Sequence, residues 1–226
     1  MRERHIVAIG GWPWGEAART RALTDYVLAL ARGRRICFVP TAAAESRDSI
    51  VNFYTAWRGG GELSHLEFFP WPPPDLRDFV LSQDVLVVSG GNTANALAIW
   101  RVHGFDALLH EAWESGVVLT GWSAGMVCWF EAAVTDSFGP QLEPMDDGLG
   151  FLSGSACPHY DSEERRRPVY TQLVADGFPA GVAADDGVAL HYAGTELVEV
   201  VSVPEEARAY RVDAGGETPL PGRLLG

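Results

Sequence analysis

Short runs of apolar and β-branched residues recur along the chain at residues 6–9, 36–39, 66–69, 85–88 and 117–119. Between most of them the apolar positions change to helical spacing, over residues 17–31, 47–57, 93–102 and 105–115. Continuously apolar strands alternating with amphipathic helices predict parallel strands joined by crossover helices, buried on both faces. The fold class is therefore α/β: a doubly wound, mainly parallel sheet with helices on both faces. Beyond Gly181 the pattern becomes turn-separated runs at 182–192, 196–201 and 207–212, which predict late antiparallel strands closing one edge of the sheet. Pro70-Trp71-Pro72-Pro73-Pro74 reads as a stiff turn, because sheet-forming sequence resumes within a dozen residues. With no linker in sight, residues 1–226 form one domain, and residues 214–226 read as a loose tail.

Composition narrows the function classes. A chain of 226 residues that is 47% apolar and 21% charged is long enough to bury a sizeable core. Its formal charge of −13, with no lysine, repels polyanions, which argues against nucleic acid or an anionic membrane as partner. Every basic residue other than histidine is an arginine, whose planar fork suits carboxylate pairing. Cys37, Cys128 and Cys157 are odd in number and scattered, the pattern of buried thiols and not of a disulfide framework or a metal knuckle. Residues 1–4 run straight into the strand-like 5–11, too short an apolar stretch for a signal sequence or membrane span. The expectation is a soluble cytoplasmic protein, monomer or homodimer, without metal or cofactor.

The chemistry concentrates in Gly121-Trp122-Ser123-Ala124-Gly125, a Gly-x-Ser-x-Gly sequence set between an apolar strand and an apolar helix start. A turn that tight needs small residues around the one side chain projecting from its apex, which is Ser123. At a helix start, free N–H groups favour the negative charge that develops in acyl transfer. Ser89-Gly90-Gly91-Asn92-Thr93 follows another strand, so the N–H of Gly91 or Asn92 joins that of Ala124 as a candidate oxyanion donor. A phosphate-binding loop is the competing reading, but no Lys-Ser/Thr follows and no full Gly-x-Gly-x-x-Gly is present.

A serine nucleophile needs a base. Of six histidines, His5, His65, His103, His110 and His191 fall in strand or helix patterns, whereas His159 emerges after Ala156-Cys157-Pro158 at a polar turn. Ser123 and His159 are 36 positions apart, too few for an ordinary α/β-hydrolase to interpose its acid and further strands. Two acids compete to orient His159: Asp186, in Asp185-Asp186-Gly187, and Asp136, in Thr135-Asp136-Ser137. Either also reads as a turn-forming aspartate.

Together, Gly90-Gly91-Asn92-Thr93, Gly121-Trp122-Ser123-Ala124-Gly125, Cys157-Pro158-His159-Tyr160 and Asp185-Asp186-Gly187 resemble, in order and spacing, the dipeptidase E family of serine peptidases, which includes cyanophycinase. The resemblance runs from about Ile6 to Tyr210 and implies a class I glutamine amidotransferase-like fold, with serine in place of cysteine. It places Ser123 as nucleophile, His159 as general base and Gly91 and Ala124 as oxyanion donors, and it matches both Asp186 and Asp136 to acids assigned as the third member, of which Asp186 is favoured. Dipeptidase E cleaves after an N-terminal aspartate and holds its side chain with an arginine beyond the histidine. That implies substrate contact by Arg165, Arg166 or Arg167, a run that reads otherwise as a solvated helix start. Trp122, with Trp12 and Trp14, is expected to shape the substrate pocket.

The resulting expectation is a serine peptidase of small peptides, forming an acyl-enzyme. The same chemistry serves an esterase or amidase on non-peptide acyl groups, and a domain of this kind that only binds a ligand is the third alternative.

Overall fold

The computed structural model describes residues 3–226; Met1 and Arg2 of the lead-in lie outside the described residues. The first half alternates as expected: β1 (His5–Ile9), α1 (Ala17–Leu30), β2 (Arg35–Val39), a 3-10 turn (Thr41–Ala43), α2 (Arg47–Ala56), β3 (Glu62–His65), α3 (Leu76–Leu81) and β4 (Val85–Val88). Then follow α4 (Thr93–His103), α5 (Phe105–Glu114), β5 (Val118–Trp122) and the short α6 (Ala124–Val127). The second half is β6 (Phe130–Thr135), β7 (Glu143–Met145), β8 (Leu152–Cys157), α7 (Arg166–Ala175), β9 (Gly181–Ala184), β10 (Val188–Ala193), β11 (Glu196–Ser202), β12 (Ala209–Asp213), β13 (Gly216–Leu220) and β14 (Arg223–Leu224).

The main sheet has the order β14-β11-β10-β1-β5-β4-β2-β3. Strands β1, β5, β4, β2 and β3 are parallel to their neighbours within that run, and β10 and β11 close its edge antiparallel, as the alternation predicts. Period-two alternation sorts each strand between two cores: Ile6 and Ala8, Cys37 and Val39, Leu86 and Val88 face one side. Val7 and Ile9, Ile36 and Phe38, Val85 and Val87 face the other, against Leu23, Val27, Phe53 and Trp57 of the α1–α2 layer and its C-terminal end. Local capping follows the sequence: the Ser46 side chain accepts from Ser49 N–H at the start of α2, and Gly104 ends α4 in the left-handed region (φ 66°).

A second sheet was not legible in the pattern. Six strands in the order β13-β12-β9-β8-β6-β7 pack one face, through Phe130, Ala133, Leu152, Ala156 and Val182, into the same core that holds α4 and α5. Their other face, with Val134, Cys157 and Ala183, is covered by Tyr170 and Val174 of α7. Two of the late strands therefore belong elsewhere than expected. The run 182–192 breaks at Asp185-Asp186-Gly187, where β9 leaves for the second sheet and pairs with β12, while β10 stays in the first.

Two further expectations are corrected. The strand expected at 66–69 lies earlier, at Glu62–His65, in register with β2 from Arg35↔Glu62 to Phe38↔His65. After it, the N–H groups of Phe68 and Phe69 are taken by the Glu45 carboxylate, so the chain leaves the ladder. Residues 214–226 are not a loose tail: β13 forms a hairpin with β12 about a turn in which Gly215 N–H donates to Asp213 Oδ1 (2.7 Å), and β14 pairs with β11. The three cysteines are buried and unpaired, and burial pushes the Cys37 thiol up to about 12. Among the described residues no helix is long and apolar enough to cross a membrane.

Because β13 and β14 give one strand to each sheet, deleting residues 214–226 is expected to cost about 2 kcal/mol and lower Tm by about 4–8 °C in calorimetry. An unchanged Tm would show these strands to be passengers.

Candidate active site

Five loops meet at the carboxyl ends of the central strands, the place where doubly wound proteins build sites. They follow β1, β4 and β5 of the main sheet, and β8 and β9 of the second. Ser123 stands directly after β5 with φ 57° and ψ −113°, a left-handed backbone that a residue with a Cβ adopts only under constraint. Its N–H donates to Ile9 O (3.1 Å), and its C=O accepts from Met126 and Val127, which starts α6 immediately behind it. The flanking glycines are steric requirements: a Cβ on Gly121 would lie 2.5 Å from Val88 O, and one on Gly125 2.3 Å from the same atom. The serine is thus held at the apex of a strand-to-helix turn, as Gly-x-Ser-x-Gly predicts.

His159, after β8, also has positive φ (52°) and is half-buried. Its Nδ1–H donates to Asp186 Oδ1 at 2.7 Å. Burial alone would raise the Asp186 carboxyl, but the hydrogen bond and charge of His159, with a hydrogen bond from Ser162, outweigh it and hold the group below its ordinary range. An ionised Asp186 is acceptor only, so Nδ1 carries a proton, and in the neutral imidazole that tautomer puts the lone pair on Nε2. Asp136 is elsewhere: it is exposed at the end of β6 and faces Arg166 Nη2 at 3.8 Å.

What seats Asp186 and His159 against the loop after β1 is the pair Gly10-Gly11, which the strand pattern alone does not mark as part of a site. Gly11 bridges to Asp186, Gly187 N–H donates to Gly11 O (2.8 Å) and Gly10 N–H donates to Val188 O (2.9 Å). A Cβ on Gly10 would fall 2.4 Å from Asp185 O; one on Gly11 would fall 1.8 Å from Asp186 Oδ1 and 2.9 Å from His159 Nδ1. The available signal was a Gly-Gly pair immediately after a strand, the same pattern as Gly90-Gly91. In the structure as it stands, no hydrogen bond joins Ser123 Oγ to His159 among the described residues.

The Gly90-Gly91 loop packs beside the serine, since a Cβ on Gly90 would lie 3.2 Å from Ser123 Cβ. Gly91 has φ 132° and lies against Ala42, where no side chain fits. Asn92 is corrected as an oxyanion donor: its N–H is spent on Ala42 O (2.8 Å), and its side chain caps α4 through Asn95 N–H and donates to Ser137 O. Trp122 is corrected as an open pocket wall. It is 6% exposed, stacked on Phe38 and packed on Trp12, and Trp14, edge-on to it at 5.5 Å, is the half-exposed member of the group. A cavity of about 340 Å³ between α1 and α2 opens at Trp14.

The three arginines are all engaged within the chain. Arg166 is buried and donates to Glu163 (2.7 Å) and Val134 O (3.0 Å), a structural anchor for α7. Arg167 is clamped by Glu217 of β13 and lies over the rings of Tyr160 and Tyr210. Arg165, exposed, donates to Pro140 O and Gln141 Oε1. The other histidines lie apart from this site: His5 and His191 hydrogen-bond each other (3.0 Å) where β1 begins, and His65 pairs with Tyr54. Among the described residues no group of three or more His, Cys, Asp or Glu is placed to hold a metal.

Comparison with known proteins now fixes the family. The sequence matches the model of peptidase family S51 over residues 6–200. The chain belongs to peptidase family S51. It is similar to the uncharacterized peptidase YgaJ of Bacillus subtilis (strain 168), with 45% identity over 99% of this chain and 100% of that one. Similarity extends to peptidase E of Actinobacillus pleuropneumoniae serotype 3 (strain JL03), 26% identical over 77% of this chain and 76% of that one. Among solved structures, a peptidase from an acI-B1 actinobacterium superposes with a TM-score of 0.69 at 19% identity, over 98% of this chain and 96% of that one, and so shares the fold. This S51 member is a peptidase, a serine-type hydrolase, of the dipeptidase E family named by the resemblance.

Gly11→Ala is expected to push Asp186 off His159 and lower the rate of hydrolysis by at least about 10-fold, about 1.4 kcal/mol of barrier, with Tm little changed; a wild-type rate would show that the contact is dispensable. Asp185 tests the electrostatics next door. Burial raises it to about 6 from an ordinary 3.8, the charges of Asp161 and Asp186 adding and the hydrogen bond from Arg208 N–H opposing. The folded chain therefore holds the extra proton between those values, and wild-type stability falls as pH rises through that window. Asp185→Asn keeps an acceptor for Arg208 N–H without the charge. Its Tm relative to wild type is expected to rise from about pH 4 to about pH 8, and a difference independent of pH would refute the assignment.

Proposed function

We propose that this serine peptidase hydrolyses small peptides through Ser123, His159 and Asp186 by way of an acyl-enzyme. The observation that carries the reading is the His159 Nδ1–Asp186 Oδ1 hydrogen bond of 2.7 Å at the same rim as the strained Ser123. Substrate arrival brings Ser123 Oγ within reach of His159 Nε2; such bonds are often long or absent before the substrate is in place. The imidazole takes the hydroxyl proton as Oγ attacks the scissile carbonyl, and Asp186 stabilises the imidazolium without itself accepting the proton. The N–H groups of Gly91 and Ala124 receive the oxyanion, aided by the start of α6. His159 then protonates the departing amine, and water activated by the same nitrogen releases the acid and frees Ser123.

Dipeptides with N-terminal aspartate are the finer reading, supported by the resemblance of the four sequence segments and by relatives named peptidase E. An aspartyl side chain would draw on Arg165, whose present partners are neutral, because Arg167 is held by a carboxylate and Arg166 is buried. Trp14 and the cleft beside it offer apolar surface next to the same rim.

Ser123→Ala is expected to abolish turnover of an aspartyl dipeptide panel with little change in Tm. Asp186→Asn should lower kcat by about 10²–10⁴-fold through the wrong imidazole tautomer. An alkyl fluorophosphonate should label Ser123 in wild type and not in His159→Ala. Normal turnover by Ser123→Ala would reject the scheme, and exclusive turnover of simple esters would reject peptides as the substrate class.

A further inference from the structure

The turn after β8 closes on the turn after β9 through more than the His159–Asp186 contact. Tyr160 N–H donates to Ala184 O (3.2 Å), and Asp186 N–H donates to Asp161 Oδ1 (2.9 Å). Glu163 N–H returns to His159 O (3.1 Å), which closes the turn on itself. Asp186 is thereby gripped twice, at its carboxylate by His159 and at its backbone by Asp161.

We propose that Asp161 is a positioning residue for the reaction: by holding the Asp186 N–H it fixes the carboxylate that orients His159. This rests on the serine-peptidase reading of Ser123, His159 and Asp186 above. The peptide between Asp185 and Asp186 is held at both ends: Asp161 Oδ1 takes its N–H (2.9 Å) and Val188 N–H donates to its carbonyl, Asp185 O (3.2 Å), while Gly11 O holds the next peptide through Gly187 N–H (2.8 Å). Gly187 itself, at φ 76°, gives no stiffness to the turn. Releasing Asp161 leaves the N–H of residue 186 without its acceptor and the peptide held on its carbonyl side alone, so the carboxylate tilts off Nδ1 and the imidazole loses its fixed tautomer.

The geometry also separates this role from a merely structural one. Asp161 is exposed and fills no core, so removing its carboxylate exposes one N–H to water and leaves no cavity. Nor is its charge what the site needs, because Asp185 and Asp186 already surround the turn with carboxylates and Asp161 repels Asp185. Its task is to accept one hydrogen bond, and asparagine, which keeps that acceptor in the same place, should perform it.

The test compares wild type, Asp161→Ala and Asp161→Asn by two readouts: the second-order rate of Ser123 labelling by an alkyl fluorophosphonate from pH 5 to 9, and the low-field proton resonance of His159 Nδ1–H. Asp161→Ala is expected to lower the plateau labelling rate by about 10-fold or more, the scale a sub-ångström misplacement costs, and to broaden or erase the resonance. Asp161→Asn should return both to within about 3-fold of wild type, with Tm values close for all three. A wild-type rate and an intact resonance in Asp161→Ala would overturn the proposal, as would an asparagine variant no better than alanine. If wild-type Ser123 is never labelled, the serine-peptidase reading fails instead. The resonance then still decides the positioning step, since its persistence in Asp161→Ala overturns it.

Discussion

The structure depends on two sheets coming within backbone distance of each other at one point, where Gly10 and Gly11 meet residues 184–187. A side chain on either glycine would occupy space already filled by Asp185 O or by the Asp186 carboxylate. Because neither has one, the loop after β1 hydrogen-bonds to the turn between β9 and β10, and the chain can pass there from one sheet to the other. The groups of the candidate site are referenced to that seam: Ser123 hangs from Ile9 O on one side, and His159 and Asp186 come from the other.

Strain at the rim is local and supported. Ser123 and His159 both carry left-handed backbone, at a cost of the order of 1–3 kcal/mol each. Fully buried Val88 and the apolar α6 behind the serine over-determine its turn, and the hydrogen bonds of residues 159–163 do the same for the histidine. The energy is borrowed from a core in which Trp100, Trp129, Phe130 and Phe105 are almost wholly enclosed.

What the sequence disclosed and what it hid follow from the range of the forces involved. Ser123 and the glycines about it were legible because the constraint is local: a strand, a turn with no room, a helix. His159 and Asp186 were legible as turn residues at strand ends, but the contact of His159 with Asp186 and not Asp136 was tertiary: β6 and β9 both flank β8, and the turn after β8 closes on the turn after β9. The second sheet was hidden because β7 is only three residues long, β6 and β8 are interrupted by small or polar residues, and all three acquire their apolar neighbours from the far core. Asn92 and Arg166 misled for one reason: besides a local partner, Asn95 N–H or Glu163, each binds a backbone carbonyl that the linear pattern does not bring close, Ala42 O and Ser137 O for Asn92 and Val134 O for Arg166. The final hairpin was missed because Glu217 finds its worth only against Arg167 and Tyr160, 50 and 57 positions away.

The division of the site between two layers has a consequence for how such an enzyme fails. In the proposed mechanism the attacking oxygen is mounted on one slab and the proton acceptor on another, with a glycine hinge-pin between them. Slippage of one slab against the other would disarm the protein while leaving each slab well formed. Competence here is a property of registration between layers, and it is lost before integrity is.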